Sequence, residues 1–116
     1  VGMPQVLMLG SKGIDCTVTL AHSRTQEMNN LIMKADIVVP AVGIPNLINK
    51  ENVKKGAVLL DVGITSDKDG IHGDVDFNSV DGIAYAVTPM PGGTGPMTVA
   101  CLMENTVAAA KLQGII

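Results

Sequence analysis

Four short runs of apolar, mostly β-branched residues alternate with segments of helical spacing, and this alternation restricts the fold more than any other feature. The runs span residues 16–22, 36–43, 57–63 and 83–88. Helical segments are predicted at residues 3–13, at 25–35 and, as the longest, from Pro96 to about Gln113. Strands that alternate with helices predict a parallel α/β sheet with right-handed crossovers. Aromatic residues make up only 2% of the chain, so aliphatic side chains must fill the core, as is usual between helices and a parallel sheet.

Two breaks in the pattern carry local predictions. Pro40 lies inside the second run, which indicates an edge strand or an early end of that strand. Asp69-Gly70 lies between Ile64 and Ile71 and predicts a small hairpin.

Charge and composition exclude several classes of function. The net charge is −3 and no basic cluster exceeds the pair Lys54-Lys55, which argues against nucleic acid as a partner. No apolar run approaches the length of a membrane span, and no charged-then-apolar leader opens the chain. Cys16 and Cys101 lie in apolar runs and are interpreted as buried free thiols of a reducing compartment. The expected location is the cytoplasm or an organelle matrix such as that of mitochondria.

The residues after each predicted strand are the first candidates for a ligand site, because parallel sheets bind ligands beyond the carboxyl ends of their strands. After the first run come Ser23 and Arg24, where many dinucleotide folds have an acidic residue for the ribose 2′-hydroxyl. A guanidinium and a hydroxyl suit a 2′-phosphate instead. The alternative is that Arg24 is a solvated surface charge and Ser23 the N-cap of the next helix.

The other strand ends are rich in glycine. Val42-Gly43 forms the end of the second run, and small residues there admit a ring or sugar, although a plain turn is the alternative. Asp61 ends the third run and is interpreted as an N-cap or a group that braces loops rather than a catalyst. The fourth run leads into the sequence TPMPGGTGPMTVA, residues 88–100, which alternates rigid prolines with flexible glycines just before a helix. A metal site is not expected, since His22 and His72 lack partners at metal spacing.

These motifs together resemble the bifunctional methylenetetrahydrofolate dehydrogenase/cyclohydrolase family. The resemblance rests on PMPGGTGPMTVA, DVGI, HGDVDF, AVGIPNLI, HSRT and the opening VGMP, which occur in the family's order along the whole chain. One departure is Thr94, where the family usually has valine.

The resemblance implies a Rossmann-like domain that binds NADP, beside a folate cleft formed with an N-terminal domain. It implies oxidation of 5,10-methylene-tetrahydrofolate to the methenyl form, followed by hydrolysis to 10-formyl-tetrahydrofolate. Ser23 and Arg24 would hold the 2′-phosphate. The other implied cofactor residues are Val42, Gly43, Gly63, Ile64 and Thr98, and the implied folate residues are Pro91, Gly92, Gly93, Thr94 and Gly95.

The same resemblance implies that parts of the family pattern are missing. The first Rossmann strand and the N-terminal catalytic domain have no counterpart in residues 1–116, so no catalytic residue is expected in this chain. The chain is therefore interpreted as a partial NAD(P)-binding domain and a fragment of a longer protein. With strand order 3-2-1-4-5, the strands at 16–22 and 57–62 would each expose an unpaired edge, which invites association.

The preference for NADP over NAD rests on Ser23 and Arg24. Relatives of this kind pair as homodimers, so a dimer is expected. Two alternatives stay open: a non-catalytic nucleotide-binding or oligomerisation module derived from the family, and another Rossmann dehydrogenase of the amino-acid or shikimate type.

In the proline–glycine loop, the glycines would let the backbone approach flat ligands closely. Pro91 and Pro96 would limit the entropy lost on binding. The free N–H groups of the final helix, assigned to Met97 and Thr98, would favour polar or anionic ligand atoms.

Overall fold

A computed structural model describes all of residues 1–116. Its helices are α1 (Gly2–Leu9), α2 (Met28–Lys34), α3 (Phe77–Val80) and α4 (Thr94–Leu112). Its strands are β1 (Ile37–Val38), β2 (Val58–Leu59), β3 (Thr65–Asp67), β4 (Gly70–His72) and β5 (Ala86–Val87). None of the helices combines the length and apolar character needed to cross a membrane.

A three-stranded parallel sheet in the order β1-β2-β5 organises the chain. Val58 in β2 pairs with Ile37 on one side and with Ala86 on the other. Helical or looped crossovers connect these strands, so the α/β, Rossmann-like class predicted from the alternation is confirmed. The predicted hairpin is also present: β3 and β4 pair antiparallel, and Gly70 has a φ of 120°.

Pro40 explains why β1 is so short. Val58, Leu60 and Val62 donate backbone hydrogen bonds to the carbonyls of Asp36, Val38 and Pro40 at 2.9–3.0 Å. The return bond at residue 40 cannot form, because proline has no N–H. The regular strand therefore ends at Val38, although the two segments of the chain continue side by side beyond it. Both predictions for Pro40 are confirmed, since β1 lies at the edge of its sheet.

Two predictions about strands are wrong. Residues 16–22 are extended, but they pair with no strand. Their only backbone hydrogen bond to the preceding segment runs from the Cys16 N–H to the Leu9 carbonyl. The segment at 57–62 is the centre of the sheet and not an open edge, because β2 has a neighbour on both sides. The unpaired edges belong to β1 and β5, because the strand order follows the chain order.

Helix bounds differ from the predictions at the ends. Helix α1 stops at Leu9 with Gly10 as its C-cap, while Gly13 has a φ of 98° in the turn that follows. Helix α4 begins two residues before Pro96, at Thr94. Proline is tolerated there, because the N–H groups of a first helical turn have no intrahelical partner.

The core lies in the middle of the chain. All 13 buried residues fall between Ile32 and Val80, and Leu59 and Val80 are fully buried. Helices α1 and α4 contain no buried residue, although α4 carries the predicted apolar stripe. The radius of gyration is 16.2 Å, against about 13 Å for a compact domain of this length.

Both cysteines are exposed, so their interpretation as buried thiols is wrong. Cys16 begins the extended segment that pairs with no strand, and Cys101 lies on α4. An apolar sequence context predicts burial only where another element covers that face, and none covers these two positions.

Candidate functional site

The ends of the three sheet strands lie side by side and bring several of the predicted site residues together. The Thr65 hydroxyl, just after Ile64, donates to the Gly43 carbonyl at 3.2 Å. The Thr94 hydroxyl donates to the Asp61 carbonyl at 2.9 Å and so links the proline–glycine loop to the end of β2. Four of the predicted site residues therefore belong to one continuous surface, namely Val42, Gly43, Ile64 and Thr94.

Asp61 is a buried residue that connects the segments of this surface through hydrogen bonds. It is 2% exposed, and its carboxylate accepts backbone hydrogen bonds from Gly63 at 3.1 Å and from Asp74 and Val75 at 3.0 Å each. Its own N–H donates to the Thr88 hydroxyl at 2.8 Å, at the end of β5. A carboxylate with three N–H donors is well compensated for its burial. The interpretation of Asp61 as a group that braces loops is confirmed by these contacts.

Asp74 makes the corresponding link to the end of β1. It is fully buried, and its Oδ2 atom accepts hydrogen bonds from the N–H groups of Val42 at 2.9 Å and Gly43 at 3.1 Å. Its Oδ1 atom has no hydrogen-bond partner. Together Asp61 and Asp74, called here the carboxylate brace, connect all three strand ends.

Two glycines make room for the carboxylate brace. A Cβ atom on Gly63 would overlap the carboxylate of Asp74, and one on Gly73 would overlap the carboxylate of Asp61. Neither glycine has a positive φ, so close approach and not backbone strain explains the absence of a side chain. The DVG and HGD motifs thus fit one another as a buried pair of turns.

The proline–glycine loop turns sharply between β5 and α4. The Met90–Pro91 peptide bond is cis, Gly92 has a φ of 99°, and Gly93 is the N-cap of α4. Because the helix begins at Thr94, the free N–H groups of its first turn include those of Thr94 and Gly95. The prediction assigned those groups to Met97 and Thr98 because it began the helix at Pro96, two residues later than the structure does.

Thr98 lies one turn farther along α4. Its hydroxyl donates to the Thr94 carbonyl at 3.0 Å, and its side chain is exposed. This back-bond within the helix ties the hydroxyl to α4.

The hydroxyl of Thr94 has a structural partner that valine would lack. Thr94→Val is expected to lower the free energy of unfolding by about 1–2 kcal/mol, because the buried Asp61 carbonyl loses that donor. Urea unfolding of the full-length gene product measures this.

Thr106→Val on the same helix is the matched control. The Thr106 hydroxyl donates to the Leu102 carbonyl at 2.7 Å on an exposed face, so water replaces it and the change should stay within about 0.5 kcal/mol. Equal costs for the two variants would contradict the importance of the contact to Asp61.

Ser23 and Arg24 lie apart from the carboxylate brace, in an exposed turn after the extended segment. The turn is closed by hydrogen bonds from the His22 N–H to the Thr25 hydroxyl at 2.9 Å and from the Arg24 N–H to His22 Nδ1 at 3.2 Å. Arg24 makes no ion pair within the chain. Its guanidinium is therefore free of any intramolecular acid.

The hairpin beside the site has its own electrostatic feature. The backbone N–H of Asp69 donates to Asp67 Oδ1 at 2.8 Å and lowers the pKa of that carboxyl below its usual value. His72 Nε2 lies 3.0 Å from the same oxygen and adds to the effect. Both side chains are partly exposed, so this pair stabilises the hairpin only weakly.

A cleft of about 330 Å³ lies between the loop after β5 and the hairpin with α3. Thr88, Pro89 and Met90 line one side, and His72 and Phe77 line the other. None of the predicted site residues lines this cleft.

Sequence reasoning missed the role of Asp74. In the sequence, the HGDVDF motif contributes only to the family resemblance, because nothing local shows which strand end a carboxylate 31 residues away will reach. The available signal was the pairing of two Gly–Asp neighbourhoods, Asp61 with Gly63 and Gly73 with Asp74. Each of the two carboxylates requires a glycine beside it, because a Cβ atom at that position would overlap the carboxylate.

Comparison with known proteins gives a consistent result. The family model for the tetrahydrofolate dehydrogenase/cyclohydrolase NAD(P)-binding domain matches residues 1–114. Bifunctional protein FolD of Lactococcus lactis subsp. lactis is 50% identical over 110 residues, which cover 94% of this chain and 37% of that protein. FolD of a Wolbachia strain from Drosophila simulans is 51% identical over 114 residues, or 97% of this chain and 38% of that protein. The chain thus spans little more than a third of the length of these curated relatives.

Solved structures agree with the sequence matches. A 5,10-methylenetetrahydrofolate dehydrogenase from the silkworm Bombyx mori has a TM-score of 0.92 and 46% identity, and the match covers all of this chain and 42% of that one. A methylenetetrahydrofolate dehydrogenase-cyclohydrolase from Trypanosoma brucei, solved with NADP and an inhibitor, has a TM-score of 0.79 and 38% identity. That match covers 89% of this chain and 38% of the other.

Proposed function

Since the chain belongs to the tetrahydrofolate dehydrogenase/cyclohydrolase family, we propose that it forms the NADP-binding part of a folate oxidoreductase. The enzyme oxidises 5,10-methylene-tetrahydrofolate to the 5,10-methenyl form, and a cyclohydrolase step then adds water to give 10-formyl-tetrahydrofolate. NADP supplies the hydride acceptor. The observation that carries this proposal is the meeting of three glycine-bearing strand ends over the carboxylate brace.

The proposed roles follow the surface from one end to the other. Ser23 and Arg24 bind the 2′-phosphate, because a guanidinium without an intramolecular acid is available to an anion. Val42 and Gly43 lie along the middle of the dinucleotide. Gly63 and Ile64 present backbone groups to the nicotinamide, with Thr98 nearby. The folate ring borders the loop that contains Pro91, Gly92, Gly93, Thr94 and Gly95.

The catalytic side chains are proposed to come from outside residues 1–116. The curated relatives have nearly two thirds of their length beyond the part that this chain matches, which leaves room for a folate-binding domain. That domain, tetrahydrofolate and a second copy of the protein are the proposed partners. The cytoplasm, or the mitochondrial matrix, is the proposed location.

The activity is tested on the full-length gene product. With NADP and 5,10-methylene-tetrahydrofolate, absorbance at the NADPH band should rise, and 10-formyl-tetrahydrofolate should accumulate. A protein that binds NADP but reduces none in the presence of the folate would instead favour the non-catalytic nucleotide-binding module.

Arg24→Ala tests the cofactor assignment. The KM for NADP is expected to rise about 10–100-fold, as for the loss of a charge-assisted hydrogen bond, while the KM for the folate stays nearly constant. The affinity for NAD, which has no 2′-phosphate, should change little. Lys111→Ala removes the same charge at the far end of α4 and is the matched control. Equal increases for NADP and folate would contradict the assigned role.

A further inference from the structure

The buried carboxylate of Asp74 is directed almost wholly at one loop. Oδ2 accepts both of its hydrogen bonds from consecutive N–H groups, those of Val42 and Gly43. These residues are 31 and 32 positions away along the chain. Oδ1 has no partner and lies against Gly63. A charge that is buried at 0% exposure with a single satisfied oxygen is costly for the fold, so packing alone does not account for it.

The position of this carboxylate is fixed from the opposite side. The N–H groups of Asp74 and Val75 donate to the carboxylate of Asp61 at 3.0 Å each. The Asp74 carbonyl accepts from the Ile48 N–H at 3.0 Å, and the Asp76 N–H donates to the Ile48 carbonyl at 2.8 Å. The backbone around Asp74 is therefore anchored to two other segments before its side chain reaches the loop.

The loop that Asp74 holds needs such support. Gly43 has a φ of 75°, and Val42 is 52% exposed, so apolar packing does little to hold this turn. Two N–H groups directed at one carboxylate oxygen fix the orientation of both peptide planes. They also leave the outer face of the turn open, with the Gly43 carbonyl bound by the Thr65 hydroxyl.

We propose that Asp74 is a positioning residue for the dinucleotide: its carboxylate fixes the Val42–Gly43 backbone in the conformation that receives the middle of the cofactor. It acts through that loop and does not itself touch the ligand, because it is fully buried. The proposal rests on the proposed function of these strand ends. It predicts that a change at Asp74 weakens the dinucleotide far more than the folate.

The test uses Asp74→Asn and Asp74→Ala in the full-length gene product, with NADPH as the probe. Asparagine keeps an acceptor of the same size but loses the charge, so the dissociation constant of NADPH should rise about tenfold. Alanine removes the acceptor, so the rise should be larger. The KM for the folate at saturating NADP should stay within about twofold, because the Asp74 side chain makes no hydrogen bond to the proline–glycine loop.

Asp76→Asn is the matched control two residues away. The Asp76 carboxylate accepts from the Ser79 N–H at 3.3 Å and caps α3, apart from the loop. The Asp76→Asn variant should keep the NADPH dissociation constant within about twofold of the parent value. Amide hydrogen exchange gives a second readout: Val42 and Gly43 should exchange faster in Asp74→Asn than in the parent, and unchanged in Asp76→Asn.

The outcomes separate the two proposals. If the parent binds NADPH and Asp74→Asn binds it equally well, the positioning role is overturned even if the variant melts at a lower temperature. If the parent binds no NADPH, the proposed function fails and the positioning role fails with it. Should Asp74→Ala not fold, the asparagine variant and its exchange rates still decide the question.

Discussion

Gly63→Ala is expected to lower the free energy of unfolding by about 2–4 kcal/mol and to abolish tight NADP binding. The new Cβ atom would overlap the carboxylate of Asp74, which is fully buried and has no open space to enter. Overpacking costs about 1–3 kcal/mol, and displacing the carboxylate adds the cost of two unpaired N–H groups on the loop after β1. Urea unfolding of the full-length gene product, with the slope checked against the parent, measures the change.

A double-mutant cycle isolates the cause. In an Asp74→Ala background the overlapping atoms are gone, so alanine at position 63 should cost much less than it does in the parent. The sum of the losses in unfolding free energy of the two single variants should therefore exceed the loss of the double variant by more than about 1 kcal/mol. Strict additivity, or a Gly63→Ala protein as stable as the parent, would refute the steric explanation.

Gly93→Ala is expected to be the most damaging single change in the proline–glycine loop. A Cβ atom there would overlap the carbonyl oxygen of Pro89 and lie 2.9 Å from the Cβ atom of Thr88. Neither atom is the end of a flexible side chain, so the loop itself must shift. A shift of that size at the proposed folate-binding loop should lower kcat/KM for the folate at least about tenfold, which steady-state kinetics measures.

Gly95→Ala is the control for stability in the same loop. No heavy atom lies within 4 Å of a Cβ atom at this position, and the residue is in the first turn of α4. Alanine there should leave the free energy of unfolding unchanged or raise it by about 0.5–1 kcal/mol. If Gly93→Ala and Gly95→Ala unfold at the same urea concentration, the crowding around Gly93 has no energetic weight.

The fold class was predictable because the alternation of apolar runs and helical segments is local information. The turn at Asp69-Gly70 and the short β1 strand were predictable for the same reason, since each follows from the backbone chemistry of one residue. The strand order was not predictable from such local information. Local patterns do not state which strands are neighbours, and the assumed order placed residues 57–62 at an edge when they form the centre.

Exposure also escaped prediction wherever it depends on what covers a face. The apolar stripe of α4 and the sequence around Cys16 have the composition of buried segments, yet both are exposed. Burial is a property of two surfaces, and the sequence of one of them does not supply the other.

The rule that ligands meet the carboxyl ends of parallel strands points to the residues after each strand, such as Val42 and Gly43. The assignment of Gly63 and Ile64 to the cofactor rests on the family resemblance and stays a prediction. The role of Asp61 as a brace was also anticipated. The link from Asp74 to the loop after β1 joins residues far apart in the chain, so only the folded arrangement reveals it.

The strand order also has a consequence for biosynthesis. Because β1, β2 and β5 are neighbours in the order in which they are translated, each new strand finds its pairing partner already made. Asp61 and Asp74 emerge from the ribosome before the proline–glycine loop does, and Thr94 can then dock on a preformed turn. Within residues 1–116, the proposed ligand-binding surface is thus completed by a loop that is translated after the strands and carboxylates that support it.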